Sequence, residues 1–258
     1  MKVVILAGGY GTRLAEITKV IPKPMVEIGG IPILVHIMNI YSAYGFNDFI
    51  IALGYKGDVI KEYFLHLKEL SSDFKIDLAS GKLEYITERK NNWKVTFVDT
   101  GENSMTGGRI KRLENIIRNE TFMMTYGDAV SNIDINKLLL FHQNGNSLAT
   151  VTAVHPPARF GELTINNENI VVEFKEKPQT QSGWINGGFF VFKPEIFDYI
   201  DSDSTVLEKE PLEKLSSEKK LKAYYHEKFW QSMDTIRDKN YLEEIWSSGK
   251  APWKNNND

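Results

Sequence analysis

The chain begins with a short apolar strand that runs directly into a glycine-rich turn. Residues 3–6 are entirely apolar, and residues 7–14 read Ala-Gly-Gly-Tyr-Gly-Thr-Arg-Leu. A strand without polar alternation is typical of the buried centre of a parallel sheet. Glycines after such a strand let the backbone approach a ligand more closely than a Cβ would allow. This beginning predicts an α/β sheet with a binding loop at the carboxyl end of its first strand.

Strand-like and helix-like segments alternate along the first 155 residues. Apolar runs predict strands at 3–6, 49–53, 93–98, 122–126 and 148–154. Apolar residues at helical spacing predict helices at 32–44, 56–67, 108–118 and 135–142. Such alternation is typical of a parallel sheet covered by helices on both faces. We therefore predict an α/β fold with a Rossmann-like, mixed but mostly parallel sheet.

The rhythm of the sequence changes after residue 155. Short strands are predicted at 162–165, 170–174, 187–192 and 221–225. Helices are predicted at 196–200, 205–216 and 237–246. We expect this half to lay its strands against the same sheet. The segment 68–92 is polar and weakly patterned, so we interpret it as an excursion from the fold or as a contact between subunits.

Composition excludes several classes of function. The net charge of the 258 residues is −3, so no global basic field is available for nucleic acid or an anionic membrane. The absence of cysteine excludes disulfides, thiolate metal sites and a cysteine nucleophile. No signal peptide and no apolar run of membrane-spanning length is visible, so we expect a cytoplasmic protein.

Two basic residues close to the glycine-rich turn point to phosphate binding. Arg13 ends the turn, and Lys23 lies between two prolines that stiffen its loop. The Rossmann fingerprint G-x-G-x-x-G fails because Leu14 occupies the third glycine position, which disfavours a dinucleotide-dependent oxidoreductase. No Walker A sequence occurs either. We interpret the corner as a different kind of loop that binds a nucleoside triphosphate.

Further motifs follow in a fixed order. They are the strand 122–126 ending in Gly-Asp at 127–128, Glu-Lys-Pro at 176–178, Ile-Asn-Gly-Gly-Phe at 185–189 and Phe-Trp-Gln-Ser-Met-Asp-Thr at 229–235. Together with the glycine-rich turn, these motifs resemble the sugar nucleotidyltransferases over essentially the whole chain. Segments 105–112, 157–161 and 249–253 resemble the branch of that family that uses CTP and glucose 1-phosphate.

The resemblance implies a reaction and an organisation of the chain. The reaction is transfer of a cytidylyl group from CTP to α-D-glucose 1-phosphate with Mg²⁺, giving CDP-glucose and pyrophosphate. The organisation is a single domain over 1–258, with a nucleotide-binding half at 1–155, a sugar-phosphate-binding half at 156–236, and a C-terminal helix and tail at 237–258. A homo-oligomer, of which a hexamer is one form, is also implied.

The resemblance also implies which residues form the site. The catalytic residues are Arg13, Lys23 and Asp128. The nucleotide is bound by Leu6, Ala7, Gly8, Gly9, Tyr10, Gly11, Thr12, Arg13, Lys23, Ser104, Arg109 and Asp128. The sugar phosphate is bound by Gly161, Glu176, Lys177, Asn186 and Gly187. The metal ligands are Asp128 and Asp234.

The residue types suit the chemistry. Both substrates are polyanions, so catalysis rests on positioning and on stabilising charge rather than on a covalent intermediate. The planar guanidinium of Arg13 suits phosphate oxygens, and Lys23 is a point charge that can reach the α-phosphate. Two aspartates suffice for Mg²⁺, because the ion takes its other ligands from phosphates and water.

Several alternatives stay open at the level of sequence. Asp234 is also placed to cap the final helix, and Lys23 could be a solvated loop lysine. Arg109 could bind triphosphate, read the base or be one more charge on a basic run. The nucleotide could be UTP or dTTP rather than CTP. A non-catalytic, regulatory sugar-nucleotide-binding subunit is the alternative from another functional class.

Overall fold

The structure, a computed structural model, describes residues 1–87, 92–156, 162–165, 170–175 and 183–254. Its strands are β1 (Lys2–Leu6), β2 (Glu27–Ile28), β3 (Ile31–Pro32), β4 (Asp48–Leu53), β5 (Phe74–Asp77), β6 (Lys82–Tyr85), β7 (Lys94–Asp99), β8 (Phe122–Tyr126), β9 (Ala129–Ser131), β10 (Ala149–Val154), β11 (Glu162–Ile165), β12 (Val171–Lys175), β13 (Ile185–Phe192), β14 (Leu221–His226) and β15 (Trp230–Ser232).

Helices connect most of these strands. They are α1 (Ala15–Thr18), α2 (Ile33–Ser42), α3 (Gly57–Leu65), α4 (Leu67–Ser71), α5 (Thr106–Lys111), α6 (Glu114–Ile117), α7 (Ile135–Gln143), α8 (Glu210–Ser217) and α9 (Ile236–Ser247). Short 3₁₀ helices lie at Thr12–Leu14, Lys23–Met25 and Pro194–Tyr199. Among the described residues, no helix combines the length and apolar character that crossing a membrane requires.

The central sheet has seven strands in the order β14-β10-β13-β8-β1-β4-β7. Strands β8, β1, β4 and β7 run parallel to one another, and β10 runs parallel to β14. Only β13 is antiparallel to both of its partners in this sheet. The predicted class, a Rossmann-like and mostly parallel mixed sheet, is confirmed.

The core lies on both faces of the sheet because successive side chains of a strand point to opposite sides. On β1, Val3 and Ile5 belong to one buried cluster, with α2, α7 and α9 against it. Val4 belongs to the other cluster, which α5, α6 and α8 cover. Such two-sided burial explains why β1 is apolar throughout.

Some predicted elements differ from the observed ones. The helix predicted at 108–118 is two short helices, α5 and α6, because the chain turns at residues 112–113. The helix predicted at 205–216 begins only at Glu210, where Pro211 occupies its first turn. The segment 68–92 contains the short helix α4 and the exposed antiparallel hairpin β5–β6.

One edge of the sheet gathers the loops that carry polar residues. Strands β1 and β8 end there, so the turn after β1 lies next to Gly127, whose N–H donates to the Leu6 carbonyl at 3.0 Å. Since β13 is antiparallel, its first residues lie at the same edge, where Asn186 is paired with Ala153. Ligands bind at the carboxyl ends of strands in open α/β sheets.

Candidate active site

A cleft of about 720 Å³ opens at this edge of the sheet. Twelve residues were predicted to bind the nucleotide, and all of them line it, as do Asn186 and Asp234. Its remaining walls are Pro24, Glu102, Asn103, Met105, Thr106, Tyr126, Gly127, Ala129, Trp230 and Ser232. The structure therefore brings together residues that are more than 200 positions apart in the chain.

A small antiparallel ladder brings Asp128 and Asp234 to the same place. Strand β9 begins directly after Asp128, β15 ends two residues before Asp234, and Ala129 pairs with Ser232. The Met233 N–H closes the ladder by donating to the Asp128 carbonyl at 2.8 Å. The two carboxylates thus sit at the same end of the β9–β15 pair.

Lys23 lies between these two carboxylates. Its Nζ donates to Asp128 Oδ2 at 2.6 Å and to Asp234 Oδ1 at 2.8 Å. The residue is 9% exposed, so it is not the solvated loop lysine of the alternative interpretation. Burial alone would lower the pKa of Lys23, but the two carboxylates outweigh burial and hold the pKa above its ordinary value. The ammonium is therefore charged.

The charge of Asp234 depends on the same contacts. Burial would raise the pKa of Asp234, but the hydrogen bond and charge of Lys23, with Arg13 beyond, hold that pKa below its ordinary value. The Arg13 guanidinium lies 3.1 Å from Asp234 Oδ1, and its side chain is 70% exposed. Arg13 is thus free to meet an anion that enters the cleft.

Thr235 rather than Asp234 caps helix α9. The Thr235 side chain accepts from the Asp238 N–H, and the Asp238 carboxylate accepts in return from the Thr235 N–H, which is a complete capping box. The Asp234 carboxylate instead contacts Lys23, Arg13 and the hydroxyl of Ser232. The capping alternative for the Asp234 side chain is therefore wrong.

The guanidinium of Arg109 is buried beneath the glycine-rich turn. The residue is 4% exposed and donates to five oxygens at 2.8–3.1 Å. These acceptors are the carbonyls of Gly8, Leu53, Gly101 and Glu102 and the hydroxyl of Thr100. Burial lowers the pKa of Arg109, with Tyr10 and Asp99 opposing that effect. Arg109 fastens three loops together, a role that the sequence did not indicate.

The guanidinium of Arg109 also explains why residue 8 has to be glycine. A Cβ on Gly8 would lie 2.2 Å from Nη1 of Arg109, and one on Gly54 would lie 2.4 Å from the same atom. By contrast, a Cβ on Gly9 would meet no atom of the described chain within 4 Å. Gly8 therefore makes room for an arginine, whereas Gly9 leaves space open in the cleft.

The mouth of the cleft is crossed by a contact between two loops. The Tyr10 hydroxyl donates to Asn103 Oδ1 at 2.9 Å, and the Tyr10 ring packs at 5.1 Å from that of Tyr55. Ser104 follows directly and is buried. The segment 102–104 thus forms the wall opposite the glycine-rich turn.

The sugar-phosphate residues are only partly placed by the structure. Asn186 lines the cleft, and its Oδ1 accepts from the Gly188 N–H at 2.8 Å. Gly187 does not line the cleft; a Cβ there would lie 2.7 Å from Val154, and its carbonyl accepts from Trp230 Nε1 at 2.7 Å. Gly161, Glu176 and Lys177 lie outside the described residues.

Two residues of the cleft region were missed by sequence reasoning. Tyr126 ends β8 and looked like one more apolar strand residue, while Glu208 lies in a polar stretch without a motif. In the structure the Tyr126 hydroxyl donates to the Glu208 carboxylate and accepts from Asn186 Nδ2 at 3.3 Å. No pattern in the sequence signals this pairing, because its members are 60 or more positions apart.

The donor set fits magnesium better than a transition metal. Within the described ranges, no group of three or more His, Cys, Asp or Glu side chains converges on a point. Asp128 and Asp234 offer only carboxylate oxygens, and both already hold one cation, the ammonium of Lys23. Mg²⁺ is typically held by one or two carboxylates together with substrate phosphates.

Comparison with known proteins places the chain in a family. It is 52% identical to a glucose-1-phosphate cytidylyltransferase of Salmonella typhimurium over 98% of this chain and 99% of that protein. It is 31% identical to a mannose-1-phosphate guanyltransferase of Kluyveromyces lactis over 94% of this chain and 63% of that one. Among solved structures, HddC from Yersinia pseudotuberculosis has a TM-score of 0.68 and 27% identity, covering 95% of this chain and 99% of that one.

A family model for nucleotidyl transferases matches residues 2–246. The matched range includes the glycine-rich turn, Asp128, Asp234 and Asn186. The chain belongs to the nucleotidyl transferase family.

Proposed function

We propose that the protein transfers the cytidylyl group of CTP to α-D-glucose 1-phosphate, giving CDP-glucose and pyrophosphate. The observation that carries the reaction class is Lys23, which lies against the glycine-rich turn and within 2.8 Å of both Asp128 and Asp234. The choice of CTP and glucose 1-phosphate is supported by 52% identity to a glucose-1-phosphate cytidylyltransferase over nearly the whole chain.

The proposed reaction is a single displacement at phosphorus. A phosphate oxygen of glucose 1-phosphate attacks the α-phosphorus of CTP in line, the bond to the β-phosphate oxygen breaks, and pyrophosphate leaves. No side chain becomes covalently modified. The protein has to hold two polyanions in line and stabilise the charge that develops on the transferred and leaving groups.

Two cations of the site suit this task differently. Arg13 is mostly exposed at the cleft, so its guanidinium can bind the β- and γ-phosphates in a bidentate manner. Lys23 is buried at the floor of the cleft, which suits a point charge on the α-phosphate. For Lys23 to reach the phosphate, its contacts to the aspartates must at least partly give way.

Asp128 and Asp234 are the residues that would hold Mg²⁺. When bound, the ion supplies positive charge to the triphosphate oxygens. With the ion held by these carboxylates, the Lys23 ammonium would instead pair with a phosphate of the substrate, and the charges of the site would stay compensated.

The segment 104–109 is the proposed determinant of base choice. Ser104 is buried beside the cleft, and Arg109 holds the carbonyls of Gly8, Gly101 and Glu102 in place. Arg109 acts here as a positioning residue, because its donors are engaged by the protein itself. Asn186 is the proposed contact to the hexose, and Gly161, Glu176 and Lys177 stay predicted contacts to the sugar phosphate.

Self-association is part of the proposal. The hairpin β5–β6 and its surroundings expose large apolar side chains that the described fold does not cover, namely Phe74, Ile76, Leu78, Leu83 and Ile86. Leu78 is 87% exposed. Exposed apolar side chains gathered on one hairpin are typical of an interface. We propose a second copy of this chain as its partner.

Pyrophosphate release tests the proposed function. The purified protein is incubated with Mg²⁺, glucose 1-phosphate and one nucleotide at a time from CTP, UTP, dTTP, ATP and GTP. Release with CTP alone is expected. Release mainly with UTP or dTTP would agree with the proposed mechanism but overturn the assignment of CTP as the nucleotide substrate. No release with any nucleotide, despite nucleotide binding, would overturn the proposal in favour of a regulatory subunit.

A further inference from the structure

We infer that Glu208, acting through the Tyr126 hydroxyl, holds Asn186 as a hydrogen-bond donor toward the hexose of the sugar phosphate. The inference rests on the proposed function, because it takes the ligand beside Asn186 to be that sugar phosphate. Neither Tyr126 nor Glu208 needs to touch the substrate. Both are positioning residues.

The direction of the hydrogen bonds follows from the carboxylate. An ionised carboxylate only accepts, so the Tyr126 hydroxyl has to give its proton to Glu208 Oε1. The phenol oxygen is then left as an acceptor toward Asn186.

Asn186 is oriented by two contacts that agree. Its Nδ2 donates to the Tyr126 oxygen at 3.3 Å, and its Oδ1 accepts from the Gly188 N–H at 2.8 Å. A flipped amide would bring two acceptors together at Tyr126 and two donors together at Gly188. The amide retains a second N–H, and because Asn186 lines the cleft, that donor is available to a ligand oxygen.

Glu208 is itself held by the nucleotide side of the cleft. Its Oε2 accepts from the Thr106 hydroxyl at 2.6 Å, and the same hydroxyl accepts from the Leu207 N–H at 2.9 Å. Thr106 is the first residue of helix α5, which also carries Arg109. These hydrogen bonds thus connect helix α5 to Asn186, the residue proposed to face the sugar.

The glycines after Thr106 make this packing possible. A Cβ on Gly107 would lie 2.7 Å from the Thr205 carbonyl oxygen, and one on Gly108 would lie 2.2 Å from that of Asp203. Backbone atoms cannot move aside as a flexible side chain can. The Thr-Gly-Gly sequence at 106–108 is therefore what allows the segment carrying Glu208 to dock onto α5.

The test compares the Michaelis constants of the two substrates. Tyr126→Phe deletes only the hydroxyl. Glu208→Gln introduces an amide that can donate to the Tyr126 oxygen and so reverse the direction of the hydrogen bonds from residue 208 to Asn186. For both variants we expect KM for glucose 1-phosphate to rise about tenfold and KM for CTP to change less than about twofold. Tyr199→Phe is the matched control. The Tyr199 hydroxyl likewise donates to a glutamate, Glu218, at 2.6 Å, but neither residue lines the cleft.

A double-mutant cycle separates positioning from general destabilisation. In an Asn186→Ala background, Tyr126→Phe should add no further rise in KM for glucose 1-phosphate, because the residue through which it acts is gone. Additive effects, an unchanged KM in both single variants or an equal rise in KM for CTP would overturn the inference. Wild-type protein that forms no CDP-glucose would instead overturn the proposed function on which it rests.

Discussion

Lys23 and its two aspartates form a set of charges that compensate one another in a partly buried place. Lys23 is 9% exposed, and an unpaired charge at that depth is costly. The structure avoids this cost by placing two carboxylates within 2.8 Å of the ammonium. The same arrangement keeps Asp128 and Asp234 close together, although they carry the same sign of charge.

Replacing Lys23 tests its proposed role on the α-phosphate. Lys23→Ala should lower kcat by at least about 100-fold, because the variant lacks a charge that acts on the transition state. KM for CTP should change by less than about fivefold. Steady-state kinetics with varied CTP make the measurement, and Lys19→Ala, at an exposed lysine of the same loop region, is the control. A loss confined to KM would contradict the role.

Neighbouring substitutions separate the roles of Asp234 and Thr235. Asp234→Asn removes a carboxylate of the proposed Mg²⁺ site and should cost about 100-fold in Mg²⁺-dependent turnover with little change in Tm. Thr235→Ala removes the cap of α9 and should cost about 1 kcal/mol, or about 2–4 °C in Tm, with turnover retained. Thermal unfolding and pyrophosphate release measured on both variants check this. A loss of turnover in Thr235→Ala, together with a lower Tm but retained turnover in Asp234→Asn, would refute the assignment.

At the scale of elements, Arg109 on α5 is the connection between the turn after β1 and the ends of β4 and β7. Its five acceptors come from those three places, and four of them are backbone carbonyls. Two of those carbonyls, Leu53 and Gly8, also accept from the backbone N–H groups of Thr100 and Tyr55, so Arg109 adds a side-chain link to existing backbone contacts. The shape of the glycine-rich turn therefore depends on a residue about 100 positions away.

A pair of glycine variants tests this dependence. Gly8→Ala should lower Tm, because its Cβ would lie 2.2 Å from Nη1 of Arg109, which three acceptors hold in place. Gly9→Ala should leave Tm unchanged, since no atom of the described residues lies within 4 Å of its Cβ, and should weaken CTP binding instead. Differential scanning fluorimetry with and without CTP distinguishes the two. Equal losses of Tm in both variants would contradict the account.

The packing of α7 against β10 predicts a dependence of stability on pH. Burial lowers the pKa of His142 to about 4, and Lys193 adds to this effect. Its Nδ1 shares a hydrogen bond with Thr150 at 2.9 Å. The unfolded chain takes up a proton near pH 6.5 while the folded one does not until about pH 4, so stability is full above pH 6.5 and falls as the pH decreases toward 4.

His142→Gln removes this titration. Between pH 7 and pH 4.5 the wild-type protein should lose up to about 3 kcal/mol more free energy of unfolding than the variant. Urea denaturation at the two pH values makes the measurement, and the other titrating groups cancel in the comparison. Parallel losses in both proteins would show that His142 does not contribute.

Elements were predictable from sequence where one pattern was long enough to stand alone. Strand β8 was predicted at its observed bounds, and α2 and α7 within two residues of theirs, because each has sustained apolar periodicity. Strand β9 was missed, since three residues carry no period. The apolar, aromatic-rich residues before Asp234 did indicate a strand there, which the structure has as β15, but the pairing of β9 with β15 that brings the two aspartates together was not predicted.

For the molecule as a whole, the sheet topology decides what meets at the cleft. Strands β1 and β8 end there, and the antiparallel β13 begins there, so residues from both halves of the chain face one space. The residues that the glycine-rich turn contributes to the cleft were predictable, because they follow one another in the sequence. The Tyr126–Glu208 pair and the Arg109 contacts were not, because they depend on distant residues whose proximity only the folded chain creates.

The exposed hairpin predicts a change of assembly on substitution. Replacing Ile76 and Leu83 with glutamate places two like charges on the apolar surface of β5–β6 and should dissociate the oligomer. Light scattering after size-exclusion chromatography measures the mass. Leu140→Glu, at a 55% exposed leucine on α7, is the control and should leave the mass unchanged. A wild-type protein that is already monomeric would contradict the proposed interface.

The fate of the α-phosphate of CTP tests the central claim most directly. The protein is incubated with Mg²⁺, glucose 1-phosphate and CTP that carries a radioactive label at either the α- or the γ-phosphorus, and the products are separated. The account predicts the α-label in CDP-glucose and the γ-label in pyrophosphate, both only when glucose 1-phosphate is present. Transfer of the γ-label to the sugar, or release of pyrophosphate without sugar phosphate, would contradict it.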